Sequence, residues 1–304
     1  MNNIAAVVVT YNRKKLLKEC IEALRASTRK VDVIIIDNNS TDGTKEYIAD
    51  LIGKDVIYKR LKKNLGGAGG FSAGMKYAVK KGYEYVWIMD DDTIVKEDSL
   101  EQLMNVAGSI HNNFGFLSSS VRWIDGSDCK MNMQTYKTNL TDYERAYAAK
   151  GIYPVKAATF VSLLFRAEAI KEIGLPLKEY FIWGDDKEYT LRMSGKFNCY
   201  NVMDSEVVHK MNNNEGSNIT KDDIGRIDRY FYAYRNDFAT ARELGPKEMC
   251  IYFAGFGLNA ARVIIYAQDN KLSRLNVMFR GLISGITFRP RVRYVNMSNE
   301  CNPM

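Results

Sequence analysis

The segment Tyr85-Val-Trp-Ile-Met-Asp90-Asp91-Asp92 joins an apolar run, rich in aromatic and β-branched residues, to three consecutive aspartates. Such a short apolar run predicts a buried β-strand. Because side chains alternate along a strand, Asp90 and Asp92 are expected to face one side and Asp91 the other. Two carboxylates on one side suit a hard divalent cation such as Mg²⁺ or Mn²⁺. The alternative is a solvated acidic turn that caps the next helix.

Three further apolar runs precede this segment, at residues 5–10, 31–36 and 56–58, and helical patterns separate all four. This alternation predicts right-handed β-α-β crossovers and a mostly parallel sheet in an α/β fold. Ligands of such sheets bind beyond the carboxyl ends of the strands. Polar residues follow the first two runs, in Thr10-Tyr11-Asn12 and Asp37-Asn38-Asn39-Ser40. We therefore expect them to gather with the aspartates in one site.

A glycine-rich segment, Asn64-Leu-Gly66-Gly67-Ala-Gly69-Gly70-Phe-Ser-Ala-Gly74, follows the third apolar run. Glycine lets the backbone approach a ligand, and amides at a helix N-terminus bind anions, so we interpret the segment as a ligand-binding turn. It matches neither the P-loop nor Gly-x-Gly-x-x-Gly, which disfavours a hydride-transfer cofactor. The alternative is a flexible turn without a chemical role.

A second acidic cluster, Trp183-Gly-Asp185-Asp186-Lys-Glu188, follows the aromatic run at residues 180–182. Aromatic neighbours exclude water, which raises the pKa of a carboxyl group and makes it a better general base. Alternatively, Asp185 or Asp186 is the N-cap of a helix over residues 187–194, and both interpretations are compatible.

His209, one of two histidines in the chain, ends the strand-like run 205–208. A lone histidine is more often structural than a ligand. Its position at a strand end, where the other polar residues are expected, favours a ligand instead, because imidazole with carboxylates suits Mn²⁺.

Charge and cysteine content limit the class of protein. The 304 residues carry a net charge of +7, from 43 basic and 36 acidic residues. This excess of positive charge is compatible with binding to phosphates or to an anionic membrane surface. Binding to nucleic acid is disfavoured, because the sequence lacks an aromatic-basic motif. Five widely spaced cysteines without a C-x-x-C pair argue against a zinc ribbon or disulfide framework. A reducing compartment follows, and without a signal-peptide pattern we expect a cytoplasmic protein.

Together these motifs resemble the family 2 glycosyltransferases, which have a GT-A fold. The resemblance covers roughly residues 4–240 as ordered motifs. The six main motifs are residues 7–13, 37–40, 64–71, 90–92 and 183–188, and His209. Tyr234-Arg235-Asn236 also recurs in relatives.

The resemblance implies a role for each motif. A sugar-nucleotide donor would be bound by Thr10, Tyr11, Asn12, Arg13, Asp37, Asn39, Asn64, Gly66, Gly67 and Gly70. Asp91 would contact the donor sugar or brace the loop. Asp90, Asp92 and His209 would hold the Mn²⁺ or Mg²⁺ on the diphosphate. Asp186 would deprotonate the acceptor hydroxyl, and Asp185 and Trp183 would orient or bind the acceptor.

The combination of motifs is similar to galactofuranosyltransferases, and rhamnosyltransferases share much of it. The resemblance implies inverting, metal-dependent transfer of galactofuranose from UDP-galactofuranose, with rhamnose from dTDP-rhamnose as the alternative. A cell-surface glycan or lipid-linked acceptor is expected. A lipid-linked acceptor would place the enzyme at the inner face of the cell membrane. Gly184 separates Trp183 from the aspartate pair, which weakens the match of Trp183 to the tryptophan of the family motif.

The expected organisation is a catalytic domain at residues 1–225 and a helical region at residues 226–304. Residues 1–125 are the expected nucleotide-sugar half and residues 126–225 the acceptor half. In the C-terminal region apolar residues interleave with arginines, which is typical of helices at a membrane surface. Packing on the core or in a homo-oligomer is equally compatible. Arg262 interrupts the most apolar stretch, so we do not expect a transmembrane helix.

Two other classes fit part of the pattern. Haloacid-dehalogenase-type phosphatases use Asp-x-Asp at a strand end, and Gly184-Asp185-Asp186 would be their later motif. Their first motif usually lies on the first strand, with Thr or Val at the position that Ile94 occupies here. The second class is a non-catalytic binding protein that keeps the GT-A fold, which would hydrolyse no sugar nucleotide.

Overall fold

The computed structural model describes residues 2–53 and 55–296, so Cys301 and the end of the expected C-terminal region lie outside the described residues. The strands are β1 Ile4–Thr10, β2 Asp32–Asp37, β3 Val56–Arg60, β4 Tyr85–Asp90, β5 Thr93–Val95, β6 Phe116–Arg122, β7 Thr135–Tyr136, β8 Ile152–Ala157, β9 Leu163–Arg166 and β10 Tyr200–His209. The helices are α1 Lys14–Ala26, α2 Thr44–Tyr47, α3 Gly66–Lys80, α4 Ser99–Ser109, α5 Asp142–Ala148, α6 Ala167–Ile173, α7 Asp185–Ser194, α8 Ile224–Ile227, α9 Tyr230–Leu244, α10 Pro246–Tyr266 and α11 Lys271–Thr287. Two 3₁₀ turns cover Lys130–Asn132 and Lys178–Tyr180.

The described strands form one ten-stranded sheet in the order β3-β2-β1-β4-β9-β6-β10-β8-β7, with β5 paired to β10. The strands β3, β2, β1 and β4 are parallel, as the strand-helix alternation predicts. Beyond β4 the sheet is mixed, because β9 runs antiparallel to both of its neighbours. Helices cover both faces of β1, and all seven of its residues are buried, which explains its continuous apolar run.

Strand register brings the polar strand ends to one edge of the sheet. Thr10, at the end of β1, lies opposite Asp37 at the end of β2. The strand β4 pairs with β1 on its other side and ends at Asp90. The chain then turns into β5, which runs antiparallel to β10 and places Thr93 opposite His209. The predicted gathering of polar residues at the carboxyl edge is confirmed.

The glycine-rich segment is helical, so its prediction as a turn is wrong. The helix α3 begins at Gly66 and continues through the other glycines. A Cβ atom on Gly70 would lie 2.5 Å from Val9 Cγ1, and one on Gly74 would lie 2.3 Å from Val7 Cγ1. Both distances are far inside van der Waals contact. Glycine therefore allows the helix backbone to rest directly on β1, and close packing explains the composition.

The C-terminal helices pack on one another around α9. A Cβ atom on Gly281 of α11 would lie 2.8 Å from the Phe231 carbonyl oxygen of α9, so a small residue is needed there too. After α11 the chain returns to the catalytic part, where Leu175 N donates to Arg293 O at 2.8 Å. Arg293 also forms an ion pair with Glu179. The predicted helical region is thus tied to the catalytic part at both ends.

Within the described ranges, one helix, α10, is long and apolar enough to cross a membrane by length and composition alone, and almost none of it is buried. Such a helix is weak evidence, because core helices and signal sequences share these properties. The exposed apolar residues of α10 are Ile251, Phe253, Leu258, Ile264, Ile265 and Tyr266. The expectation that this stretch does not span a bilayer, which rests on Arg262, stays a prediction.

Candidate active site

Asp90, Asp92 and His209 form a cluster at the carboxyl edge of the sheet. One ligand atom from each residue lies within 4.8 Å of the other two. Asp92 and His209 are buried and Asp90 is partly buried. Two carboxylate oxygens and one imidazole nitrogen at this spacing fit a divalent cation such as Mn²⁺. The structure therefore brings together the three residues predicted as metal ligands.

Asp91 has other partners than the cluster, although strand alternation is not the reason, because Asp91 and Asp92 lie in the turn between β4 and β5. Its carboxylate accepts hydrogen bonds from Thr10 Oγ1 at 2.6 Å and from Arg13 at 3.3 Å. Arg13 also donates to Asp92 Oδ2 at 2.5 Å, so one guanidinium bridges two aspartates of the triplet. Burial raises the pKa of Asp91 to about 6, against the opposing charge of Arg13. Thr10 and Arg13 thus stand beside the cluster, where a donor diphosphate is expected.

His209 is oriented by a residue for which the sequence predicts no role. Its Nε2 lies 2.9 Å from Asp92 Oδ1, while its Nδ1 lies 2.7 Å from Asn132 Oδ1. Because an amide oxygen only accepts, Nδ1 is the donor in this contact. Asn132 is itself buried, donating to Thr159 Oγ1 at 2.9 Å and accepting from Cys129 Sγ at 2.9 Å. The imidazole is therefore held with Nε2 directed at the carboxylates.

The pKa values of the cluster reflect unbalanced negative charge. Burial and the neighbouring charge of Asp92 raise the pKa of Asp90 to about 8. Burial also disfavours the Asp92 carboxylate, but the hydrogen bond and charge of His209, with the charge of Arg13, lower its pKa below the ordinary value. Burial disfavours the His209 imidazolium, yet the bond to Asp92 raises its pKa to about 10. A bound cation would relieve the repulsion between the two aspartates.

The second acidic cluster lies in the first turn of α7. The prediction that Asp185 or Asp186 is the N-cap is wrong, because the N-cap is Gly184, with φ +81°, and both aspartates lie inside the helix, where Asp186 Oδ1 accepts from Lys187 N at 2.7 Å. Asp185 is buried and Asp186 is partly exposed. Burial and the charge of Asp186 raise the pKa of Asp185 well above its ordinary value. Burial raises the pKa of Asp186 to about 6.

The two acidic clusters interact electrostatically. The negative charge of Asp90 contributes to the raised pKa of Asp185, which places these carboxyl groups within electrostatic reach. No salt bridge joins Asp185 or Asp186 to a basic side chain in the part of the chain that the structure describes. The site therefore offers one carboxylate, Asp92, whose charge is compensated by His209 and Arg13, and further carboxyl groups with raised pKa values.

The loop at residues 181–183, directly before α7, is strained and tightly packed. Phe181 and Trp183 have φ angles of +67° and +62°, which are unusual for residues with side chains. The Phe181 carbonyl accepts from Ala68 N at 3.2 Å. A Cβ atom on Gly66 would lie 1.9 Å from the same oxygen, and Gly66 has φ +71°. Gly66 is therefore required where α3 begins against the acidic loop.

A polar cavity of 290 Å³ lies beside β2 and β3. Asp37 lines it, is buried, and accepts hydrogen bonds from Ser40 N at 2.7 Å and from the Tyr58 hydroxyl. Arg60 lines the same cavity and donates to Asn39 Oδ1 at 3.1 Å. The sequence analysis does not mark Tyr58 or Arg60. The rule that ligand-binding residues lie at the ends of parallel strands would have found Arg60, which ends β3, but not Tyr58, which lies within the strand.

Two predicted donor residues near β1 differ in exposure. Tyr11 is 45% exposed and is free to meet a ligand. Asn12 has φ +55°, and its Oδ1 accepts from Thr41 N at 2.7 Å. The Asn12 side chain therefore holds the loop after β2, and any donor contact is made by its remaining polar groups.

The predicted donor-binding residues at the start of α3 also differ in their contacts and in their access to a ligand. Asn64 Oδ1 accepts from Gly66 N at 2.7 Å, which supports the beginning of the helix. A Cβ atom on Gly67 would meet only the Phe71 ring, at 4.0 Å, so the backbone there is open to a ligand. Gly70, in contrast, is buried against β1, where it serves packing.

The class of protein that this sheet and its carboxyl-edge site define is a GT-A-type sugar transferase. Residues 5–174, more than half of the chain, match the model of the family described as Glycosyl transferase family 2. The chain belongs to this family and is a glycosyltransferase. The phosphatase alternative is therefore wrong.

Two curated relatives place the chain within the family. It is 28% identical over 199 residues to the galactofuranosyltransferase GlfT1 of Mycolicibacterium smegmatis, covering 62% of this chain and 65% of the relative. It is 25% identical over 296 residues to the dTDP-rhamnosyl transferase RfbF of Shigella flexneri, covering 94% and 96%. The chain thus spans slightly less than two thirds of the first relative and nearly all of the second.

A solved structure shares the fold. The crystal structure of GalNAc-T7 with UDP, GalNAc and Mn²⁺ superposes with a TM-score of 0.57 at 17% identity, covering 68% of this chain and 43% of the other. At this identity the likeness establishes the GT-A fold alone.

Proposed function

We propose that the protein is an inverting, metal-dependent glycosyltransferase that moves galactofuranose from UDP-galactofuranose to a cell-surface glycan or lipid-linked acceptor. The observation that carries the proposal is the cluster of Asp90, Asp92 and His209 at a spacing that fits a metal ion, with the carboxyl group of Asp185 in electrostatic interaction with Asp90. The first set fits a divalent cation, Mn²⁺ or Mg²⁺, through its carboxylate and imidazole ligands. The chemistry that such a cation supplies is neutralisation of charge on the departing diphosphate.

The protein residues supply positioning and proton transfer. Arg13 lies beside Asp91 and Asp92, where it is able to contact the diphosphate. The raised pKa of Asp186 suits a base that takes the proton of the acceptor hydroxyl. Attack from the side of the sugar opposite the leaving group gives inversion at the anomeric carbon. Asp185, buried next to the base, holds the acceptor together with Trp183.

The nucleoside of the donor is assigned to the cavity lined by Asp37, Tyr58 and Arg60. Its polar lining suits a uracil or thymine base and a ribose through hydrogen bonds. Galactofuranose is preferred because a galactofuranosyltransferase is a relative. Rhamnose from dTDP-rhamnose is the second candidate, because the rhamnosyl transferase relative aligns with almost the whole chain.

A donor screen tests the proposal. Hydrolysis and transfer would be measured with UDP-galactofuranose, dTDP-rhamnose and common UDP-hexoses, each with Mn²⁺, with Mg²⁺ and with EDTA. We expect UDP-galactofuranose to be used fastest and EDTA to stop the reaction. Preference for dTDP-rhamnose would move the assignment to the second candidate, and full activity in EDTA would exclude the metal-dependent mechanism.

We also propose that the enzyme works at the cytoplasmic face of the cell membrane, held there by α10 and α11. Exposed apolar residues on both helices support this, namely Phe253, Leu258, Ile264, Phe279 and Ile283. Arg280, Arg289 and Arg291 are exposed nearby and suit anionic lipid headgroups. Other apolar residues of these helices, such as Phe256, Val263 and Met278, are buried in the C-terminal cluster. Arg274 is also buried, donating to Ile219 O and Asp222 O, and takes no part.

Vesicle sedimentation with the full chain tests the membrane contact. The double variant Ile264→Asp/Ile265→Asp should release the protein from vesicles of phosphatidylglycerol and phosphatidylcholine. The control Ile124→Asp changes an equally exposed residue elsewhere and should bind like the wild type. Unchanged binding of the double variant rejects the membrane role. Loss of a homo-oligomer in that variant would instead assign the surface to subunit contact.

A further inference from the structure

The strained loop before the second acidic cluster is held by one side chain from the C-terminal region. Asn236 lies on α9 and is fully buried. Its amide nitrogen lies 3.0 Å from Tyr180 O, 3.2 Å from Ile182 O and 2.8 Å from Trp183 O. One amide therefore serves three of four consecutive carbonyl groups, immediately before the helix that carries Asp185.

The position of this amide coincides with the backbone strain. Phe181 and Trp183 adopt positive φ angles, and both lie within the span that Asn236 bonds. Such conformations persist only where surrounding contacts over-determine them. Arg235 supports the same stretch by donating to Glu179 O at 2.8 Å and Tyr180 O at 3.1 Å.

The same loop is confined from the opposite side by α3. Phe181 O accepts from Ala68 N, and Gly66 leaves no room for a side chain against that oxygen. Trp183 packs its ring edge-on against Tyr230, with centroids 5.0 Å apart. The loop is thus held between the start of α3 and the C-terminal helices.

We propose that Asn236 is a positioning residue for catalysis, which places Trp183 and the Asp185–Asp186 pair against the acceptor through the backbone of residues 180–183. The inference rests on the proposed function for its kinetic part. It makes α9 a component of the catalytic site, in addition to any role of the C-terminal region at a membrane.

The test compares two residues of α9 that each make a buried hydrogen bond to this segment. Asn236→Ala removes the three backbone contacts, and Asn236→Asp keeps the size but removes the donor. The matched control, Thr240→Val, removes the 2.9 Å bond between Thr240 Oγ1 and the Tyr180 hydroxyl, which does not hold the strained backbone. Steady-state kinetics would be measured with the donor found in the screen, and folding would be followed by circular dichroism.

We expect both Asn236 variants to lower kcat at least thirtyfold while the donor KM changes less than threefold, because the donor side is left intact. Thr240→Val should keep kcat within threefold of the wild type. A kcat within threefold in Asn236→Ala, or an equal fall in Thr240→Val, would overturn the proposal. Failure of both Asn236 variants to fold, beside a folded Thr240→Val, would also overturn it by assigning Asn236 to folding.

A spectroscopic measurement separates this inference from the proposed function. The chain has three tryptophans, so the emission of Trp183 is obtained by subtracting the spectrum of the matching Trp183→Phe variant. Asn236→Ala should shift this emission to the red and increase its quenching by acrylamide, and Thr240→Val should not. If no donor is turned over, the proposed function fails, but an unchanged Trp183 signal is what overturns the positioning role.

Discussion

The two acidic clusters contain the same kind of residue in opposite electrostatic settings. Asp90, Asp91 and Asp92 end a buried strand and have Arg13 and His209 as cationic partners. Asp185 and Asp186 begin a helix, and in the described ranges no basic side chain forms a salt bridge with either. Burial is common to both clusters, so the difference comes from the partners.

The consequence is that carboxyl groups of the same site are suited to different tasks. Charge compensation keeps Asp92 ionised, with its pKa below the ordinary value, as a metal ligand must be. Burial outweighs the opposing effect of Lys187 and raises the pKa of Asp186 to about 6, where it is able to accept a proton near neutral pH. The neighbours of an aspartate, more than the aspartate itself, decide whether it binds a cation or a proton.

The largest effect is expected from Asp92→Ala, which removes a ligand from the compensated cluster. We expect kcat to fall by about 10³-fold or more, because the charge of the departing diphosphate is no longer neutralised. Initial rates over a Mn²⁺ titration measure this. Asp98→Ala changes an exposed aspartate six residues further on and should keep wild-type rates. Near-normal turnover of Asp92→Ala would contradict its assignment as a ligand.

The next effect is expected from Asp186→Asn in the uncompensated cluster. Loss of a general base should lower kcat by about 10²- to 10⁴-fold. Donor binding and Mn²⁺ affinity should stay as in the wild type, since the other cluster is untouched. Single-turnover rates and calorimetric titration separate these properties. Asp228→Asn, at an exposed carboxylate that does not act on Asp186, is the control. Turnover of Asp186→Asn close to the wild type would rule out a base role.

A smaller effect is expected at the residue that orients His209. Asn132→Leu removes the acceptor for Nδ1, and we expect Mn²⁺ affinity to fall by about 10- to 100-fold. Electron paramagnetic resonance of free Mn²⁺ measures the affinity directly. Cys129→Ser keeps a donor to Asn132 and should bind Mn²⁺ normally. Equal affinities of Asn132→Leu and the wild type would mean that His209 orients itself.

The mildest test is the pH dependence of kcat. Because the pKa of Asp186 is raised, its carboxylate is protonated at a higher pH than an ordinary aspartate. Turnover should therefore fall below pH 6, by about tenfold for each further pH unit. Asp91 has a similar pKa, so the pH dependence of the residual activity of Asp186→Asn decides which of the two groups causes the fall. If Asp186 is the base, this residual activity should not fall below pH 6. A fall that begins only near pH 4 would argue against a desolvated base.

Much of the fold was predictable because strand and helix periods are local properties. The four parallel strands and the helices between them follow directly from their apolar patterns. The glycine-rich segment was predicted as a turn because glycine is locally flexible. Its helical state depends on β1, against which Gly70 and Gly74 must pack, and that contact is invisible to local propensity.

The site was predictable to a similar degree and for a related reason. Residues that follow parallel strands share an edge, so Asp37, the aspartate triplet and His209 were expected together, and register places them so. Asn132 carries no such signal, and Asn236 is marked only by the recurrence of Tyr234-Arg235-Asn236 in relatives. Each acts through one hydrogen-bonding geometry, set by segments that are 77 and 53 or more residues away in sequence.

The amino-acid sequence thus determines the class of fold, the family and the edge at which the acidic residues meet, because alternation and strand-end position follow from backbone geometry alone. The tertiary structure decides which carboxylate is compensated and which is not. That decision depends on Arg13 and His209 approaching from distant segments, just as the loop before α7 depends on Asn236. Electrostatic and hydrogen-bond energies depend on distances in space rather than on separation along the chain.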